Sequence, residues 1–308
     1  MSVLVWGALG GCGAPGPSEQ PSASGQPQVQ PKKEAASAPS PAVSTQRVSD
    51  RPGNTKGKVF VVEYHHIEDR KGDMFRTPDD FRADLERYYK DGFRPVNVSD
   101  YLDDKMPVPP GASPMVFTFD DSIESQYKIL PDGKVDPNCA IGIWQEFAAK
   151  HPDFPVRATF FVLPDVMWGQ KKLVAQKVET LHSLGCELAN HTVTHPKLKR
   201  LSDEKVEWEF GKAAEDLEKL GEKGPYSLAF PYGISPRNKS LVPSFDFDGR
   251  HFENKAAFLV GAEPAPSPED PKLNKYRIPR IQAVAGPSGT EDWLKQFEAG
   301  KIKVYVKP

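Results

Sequence analysis

The sequence predicts an α/β fold of parallel strands and covering helices, and three observations carry that prediction. Short runs rich in β-branched and aromatic residues recur from residue 58 to residue 306. Between them lie segments with apolar residues at helical spacing, bounded by capping and stop residues. The runs are apolar at consecutive positions, as strands covered on both faces are. Together these describe a parallel sheet or barrel, in which chemistry gathers where strands end.

In chain order, KVFVVEYH (58–65) reads as the first buried strand. TPDDFRADLERYYKDG (77–92) reads as a helix, with Thr77 as N-cap, Pro78 at the first helical position and Asp80 completing a capping box. Phe81, Leu85 and Tyr88 form its apolar stripe, and Gly92 ends it. PMVFTF (114–119) and ATFFVL (158–163) are further buried strands. Lys171 to Leu184 is helical with Gly185 as its stop, and CELAN (186–190) is the next strand. A helix from Ser202 to Leu220 turns Val206, Phe210, Ala213 and Leu217 inward and stops at Gly221. YSLAF (226–230), AAFLV (256–260) and RIQAV (280–284) are strand candidates. A helix begins at Thr290, and IKVYV (302–306) is the last strand.

Net charge −2 and a pI near 6.4 give no electrostatic case for nucleic acid or an anionic membrane surface as the main partner. Charged residues make up 27% of the chain and are interspersed, which is ordinary solvated surface. The three cysteines, Cys12, Cys139 and Cys186, form no C-x-x-C pattern, against a thiolate zinc site or a disulfide framework. Cys139 and Cys186 read as independent buried thiols, with a disulfide between them as the alternative if the protein is exported to an oxidising compartment.

The start, MSVLVWGALGGC, is an apolar run too short to span a bilayer. Its end, Leu9-Gly10-Gly11-Cys12, resembles the lipobox of bacterial lipoproteins, which implies an exported protein lipidated on Cys12 and held at the cell envelope. Residues 13–55 are rich in Pro, Ser, Gln and Ala and too poor in large apolar side chains to offset ordering entropy, as a tether would be. The expected organisation is therefore a signal over 1–12, a tether over 13–55 and a catalytic domain over 56–308, monomeric and touching the membrane only through its anchor.

Three predicted strands end in chemistry-bearing residues. Asp120 and Asp121 follow MVFTF, His191 and His195 follow CELAN, and Pro231-Tyr232-Gly233 follow YSLAF. Adjacent strand residues point to opposite faces, so one aspartate can ligate a metal while the other stays free as a base. Two imidazoles and one carboxylate make three protein ligands, the number a catalytic Zn²⁺ takes when one position stays open. Taken singly, the Asp pair reads more readily as a helix cap or solvated end, the His pair as a surface coincidence and FPYG as a turn.

Thr118-Phe119-Asp120-Asp121, His191-Thr192-Val193-Thr194-His195-Pro196 and Phe230-Pro231-Tyr232-Gly233 resemble, in order and spacing, the first three motifs of the polysaccharide deacetylases, the NodB-homology domain of carbohydrate esterase family 4. The similarity runs from about Val59 to Val306. YHHI (64–67) and the stretch after it further resemble the exported poly-N-acetylglucosamine deacetylase branch. The resemblance implies a distorted (β/α) barrel and an acetylated polysaccharide as substrate. It implies a divalent metal on Asp121, His191 and His195, Asp120 as base, and the Tyr232 backbone N–H behind Pro231 as oxyanion donor. Zn²⁺ leads for that ligand set, with Co²⁺ or Ni²⁺ also suited.

The chain departs from the commonest family pattern in two places. No histidine follows His251, so the C-terminal Leu-x-His acid of many relatives is missing. Ala229 and Phe230 stand where many relatives have an arginine touching the base. His65, at the first strand's end, is the candidate acid, with a hydrogen-bonded His65–His66 strand-end pair as the alternative. Arg280 is the candidate partner of Asp120, with Arg277 as rival. Two other functions stand beside N-deacetylation: an O-acetyl esterase, whose better leaving group needs less acid help, and a non-catalytic glycan-binding lipoprotein. An aspartyl-phosphate hydrolase is rejected, because that chemistry spaces its carboxylates one residue apart.

Overall fold

The barrel can be traced in a computed structural model that describes residues 48–308 apart from Lys71. Cys12, the signal-like run and the tether up to residue 47 lie outside the described residues. β1 (Phe60–Tyr64) leads into the short β2 (His66–Ile67) and β3 (Phe75–Arg76), then α1 (Pro78–Lys90), β4 (Phe93–Val96) and α2 (Val98–Leu102). β5 (Ser113–Asp120), α3 (Ala140–Lys150), β6 (Thr159–Val162), α4 (Val174–Ser183), β7 (Glu187–Asn190) and α5 (Asp203–Lys219) continue the alternation. β8 (Tyr226–Ala229), β9 (Ser244–Phe247), β10 (Arg250–Phe258), β11 (Ile281–Gln282) and α6 (Thr290–Glu298) complete it.

The main sheet runs β11-β1-β5-β6-β7-β8-β10-β9, parallel except for the β9–β10 pair. β4 pairs with the first half of β5 and β6 with the last residues of β5. One stretch joins the far sides: Phe258 bridges Ile278, and Ile281 pairs with Val62. The result is a distorted (β/α) barrel whose last gap is spanned by bridges instead of a full ladder.

Several elements follow directly from local chemistry. Thr77 and Asp80 exchange the two capping-box hydrogen bonds that start α1. Ser202 is the N-cap residue of α5, and Val206, Phe210, Ala213 and Leu217 are buried along it. Other expectations are corrected. Lys171–Leu173 is a 3₁₀ turn, closed by the Leu173 N–H on the Gln170 carbonyl at 2.9 Å, and α4 starts only at Val174. Val304 pairs in parallel with Lys58 while Val306 pairs antiparallel with Asn54, so 302–306 has no single partner and forms bridges, not a strand. Composition assigns residues 48–55 to the tether, yet Arg51 donates to Ser113 Oγ at 2.9 Å and Asn54 pairs with Val306. Polar groups there are bonded to the barrel, a use that composition does not register. β4 contains Pro95, which hides it as a strand, and an edge position tolerates the missing N–H.

Alternation along the strands sorts the core into two clusters. Phe60, Val62, Phe117, Phe119 and Phe160 pack beneath α1, α3 and α5. Val61, Val116, Phe161, Ala229 and Phe258 form the inward face. The inward parity of β1 and β5 then continues towards their C-terminal ends as Glu63, His65, Thr118 and Asp120, all buried. So the same pleat that builds the apolar barrel floor delivers four polar side chains to its mouth.

A buried network fixes the end of β1 just before His65. The Tyr64 hydroxyl donates to Asp84 at 2.9 Å and lies 2.9 Å from the Tyr88 hydroxyl. Arg76 donates through Nε to the same carboxylate at 3.0 Å, and through Nη2 to its other oxygen. Removing one partner of such a pair strands the other away from water. Asp84→Ala is therefore expected to lose about 3–5 kcal/mol of stability, read as a lower urea midpoint at unchanged slope. A loss within about 0.5 kcal/mol, the ordinary surface range, would contradict this role for the network.

Candidate active site

β5 ends at Asp120, and the next residue turns sharply: Asp121 has φ 71° and Ser122 φ 47°. That left-handed turn swings Asp121 out of the strand's alternation and towards the loop after β7. There His191 and His195 sit on either side of a second such turn, with φ 69° at Thr192 and 54° at His195. Asp121 Oδ1 lies 3.3 Å from His191 Nε2 and 3.4 Å from His195 Nε2. The structure thus brings together all three predicted ligands.

The donor set fits a cation. His191 Nδ1 lies 2.9 Å from the Ala229 carbonyl, so it carries the ring proton and leaves Nε2 as a bare acceptor. His191 Nε2 and Asp121 Oδ1 are both buried without a hydrogen-bond partner among the described residues, and they face each other. Two acceptors at that distance repel unless a positive charge sits between them. Ligands at about 2.0–2.1 Å in a tetrahedral shell stand roughly 3.3 Å apart, which is the spacing seen.

Behind the triad lies a second buried group. Arg280 donates to both oxygens of Asp120 at 2.7 Å and to Thr118 Oγ1 at 3.1 Å. Its Nε donates to the Leu259 carbonyl at 2.8 Å while lying 3.1 Å from Glu63 Oε2. Burial alone would push Asp120 up; the Arg280 charge and then His191 overcome this and hold it well below the carboxylate range. Glu63, with no hydrogen-bond partner for either oxygen among the described residues, is pushed up by burial to about 7 despite Arg280. His65 Nε2 is 3.6 Å from Glu63 Oε1, and burial lowers that imidazole to about 4 against the pull of Asp120 and Asp121. Glu63, His65 and Asp120 also have ligand geometry, but Arg280 already supplies the positive charge there.

Tyr232 has φ 58° and an exposed side chain, its ring centroid 4.6 Å from that of His195. Pro231 opens this 3₁₀ turn, so the Tyr232 N–H falls in a first turn where the helix offers no acceptor. Five of the ten described non-glycine residues with positive φ lie in these three loops: Asp121, Ser122, Thr192, His195 and Tyr232. Such strain, about 1–3 kcal/mol each, persists where surrounding contacts enforce it and clusters at working sites.

The remaining candidates are placed elsewhere. Arg277 is exposed. His66 turns away from the mouth, stacking on Phe75 at 4.4 Å and bonding Glu68 at 2.8 Å, so it forms no pair with His65. His151 packs on Tyr89, His182 bonds Glu222 and His251 bonds Asp246. Cys139 and Cys186 are buried free thiols. The sequence pattern does not single out Glu63, Gln126 or Glu209. Gln126 Nε2 donates to the His65 carbonyl at 3.0 Å and to the Asp120 carbonyl at 2.5 Å, tying the ends of β1 and β5 together. Signals do exist: Glu63 is a charge on the inward parity of an apolar strand, and Glu209 lies on the inward stripe of α5.

Comparison with known proteins agrees with this architecture. Residues 149–244 match the sequence model of the family described as polysaccharide deacetylase. Among solved structures, the deacetylase PplD of Streptococcus pyogenes, in complex with acetate, superposes with TM-score 0.58 at 17% identity, covering 78% of this chain and 98% of that one. A polysaccharide deacetylase from Bacillus cereus gives 0.58 at 20%, covering 78% and 69%. IcaB from Ammonifex degensii gives 0.52 at 17%, covering 79% and 96%. At these identities the likeness is one of fold. No curated protein matches the chain in sequence.

The buried titrations oppose each other in a testable way. His65, lowered to about 4, binds fewer protons folded than unfolded, so its contribution to stability rises with pH from about 4 to about 6.5. Glu63, raised to about 7, binds more protons folded than unfolded, so its contribution falls as pH rises from about 4.5 to 7. Glu63→Gln removes the falling component. Urea unfolding of the metal-free protein at about pH 5 and pH 7 is expected to show a larger gain towards pH 7 in the variant than in wild type. Equal gains would contradict the Glu63 assignment.

Proposed function

We propose that this chain, which belongs to the polysaccharide deacetylase family, is a divalent-metal-dependent hydrolase that removes acetyl groups from N-acetylated polysaccharide. The observation that carries the reading is the set of unpartnered acceptors, Asp121 Oδ1 and His191 Nε2, beside His195, with the Arg280-held Asp120 immediately behind. Asp121, His191 and His195 would hold the ion, Zn²⁺ by donor type with Co²⁺ or Ni²⁺ as alternatives. When bound, it would supply Lewis acidity to the acetyl carbonyl and lower the pKa of an attacking water towards about 7.

The chain's own groups would then manage protons and charge. Asp120 Oδ2, 3.8 Å from His191 Nε2, would take the proton of the attacking water. Arg280 fixes its orientation and keeps it ionised, so the base is weak and suited to a water already acidified. The Tyr232 backbone N–H, presented by the strained turn behind Pro231, would stabilise the oxyanion. The departing amine needs a proton, since an amide anion is too basic to leave. His65, held neutral by burial that lowers it to about 4, would pass on the proton that Asp120 takes from the attacking water. Glu63 backs His65 from inside and holds a proton up to about pH 7. The substrate class within this reading is N-acetylglucosamine polymer, and the YHHI stretch favours the exported branch. On the Cys12 motif, the protein would work at the cell envelope, lipid-anchored and monomeric.

Acetate release tests the reading on N-acetylglucosamine oligomers, peptidoglycan fragments and acetylated xylan. Wild type should release acetate from an N-acetylated substrate, lose activity after chelation and regain it with Zn²⁺. Asp120→Asn and His65→Ala should each reduce kcat by about 10²–10⁴-fold. Activity surviving both chelation and Asp120→Asn would contradict the proposal. Release from xylan alone would move the activity to O-acetyl esters.

A further inference from the structure

α5 does more than cover the sheet. Glu209, on its inward face, is buried and has no cationic partner among the described residues. Its Oε2 accepts from the backbone N–H of both Val193 and Thr194 at 2.9 Å, and its Oε1 accepts from the Thr194 hydroxyl. One helix position therefore satisfies three donors inside the five-residue loop that carries His191 and His195. The next residue on the helix, Phe210, accepts through its carbonyl from Asn190 Nδ2 at 2.9 Å, while Asn190 Oδ1 accepts from Thr192 N–H at 2.8 Å. Thr192 Oγ1 in turn accepts from His195 N–H at 3.2 Å.

A buried carboxylate without a counter-charge is costly unless its lone pairs are filled. Here they are filled by the loop between the two imidazoles. Backbone that bends through left-handed φ at Thr192 and His195 would relax if those donors were released. His195 is the less constrained partner: it is half-buried, and its ring makes no hydrogen bond to backbone among the described residues, whereas His191 is fixed by the Ala229 carbonyl. We infer that Glu209 is a positioning residue of the metal centre, holding the loop so that His195 Nε2 meets Asp121 Oδ1 without rotation on binding. It touches neither substrate nor ion.

The inference rests on the metal-site reading above, and metal affinity separates the two. Zn²⁺ affinity is measured by competition with a chromophoric chelator, alongside the melting temperature of the metal-free protein. Glu209→Ala should weaken Zn²⁺ binding by about 10–100-fold, the range for residues that support metal ligands. Glu209→Gln should stay within about threefold of wild type: its oxygen can accept both N–H groups, while its amide donates to a Thr194 hydroxyl turned to accept. Thr194→Val removes one of the three bonds and should weaken binding by a few-fold at near wild-type melting temperature; it decides the matter if Glu209→Ala does not fold. Unchanged Zn²⁺ affinity in the alanine variant, or in the valine variant where the alanine one does not fold, would overturn the inference whatever the melting temperature. Failure of wild type itself to bind Zn²⁺ would overturn the metal-site reading and this inference with it.

Discussion

Two buried acceptor atoms aimed at each other, with a second imidazole nitrogen beside them, are the constraint on which the site depends. Asp121 Oδ1 lies 3.3 Å from the bare Nε2 of His191, an arrangement that like partial charges oppose, and 3.4 Å from His195 Nε2. The fold nevertheless enforces it with left-handed turns, the Ala229 carbonyl on His191 and the Glu209 clamp on the loop. A divalent cation, as proposed, would turn that repulsion into coordination. The strain and the burial thus make sense as preparation for binding.

The charge balance behind the ligands follows from the same burial. Arg280 meets two carboxylates, and geometry decides between them. Asp120 receives two hydrogen bonds at 2.7 Å and stays ionised. Glu63 faces only an Nε committed to a carbonyl and holds its proton to higher pH. One arginine thereby creates an ionised group and a protonatable one within a few ångströms, the separation that acid–base chemistry requires. The pleat sets this up, since residues 63, 65, 118 and 120 share the inward parity of β1 and β5.

Much of this is legible in the sequence, and the limits are physical. Strand ends announce Asp120, Asp121, His191 and His195, because a short apolar run that stops abruptly at polar residues marks where a buried strand reaches the barrel mouth. Arg280 is nameable from its place at a strand, although choosing it over Arg277 needs the burial that only the fold reveals. What stays hidden depends on tertiary pairing. Glu63 looks like one polar residue in a strand, and Glu209 like one of several acids on a charged helix, until their partners are known. β4 hides behind Pro95, and Arg51 and Asn54 behind a tether-like composition. The turn that redirects Asp121 is also invisible: alternation accounts for separating the two carboxylates, but the φ of 71° aims the second one.

The most direct test of the account is anomalous diffraction at the zinc edge from crystals grown with Zn²⁺. One ion per chain is predicted, bonded at about 2.0–2.2 Å to Asp121 Oδ1, His191 Nε2 and His195 Nε2, with Asp120 still paired to Arg280 and outside the coordination shell. A peak elsewhere, or coordination through Asp120 with Asp121 turned away, would contradict it.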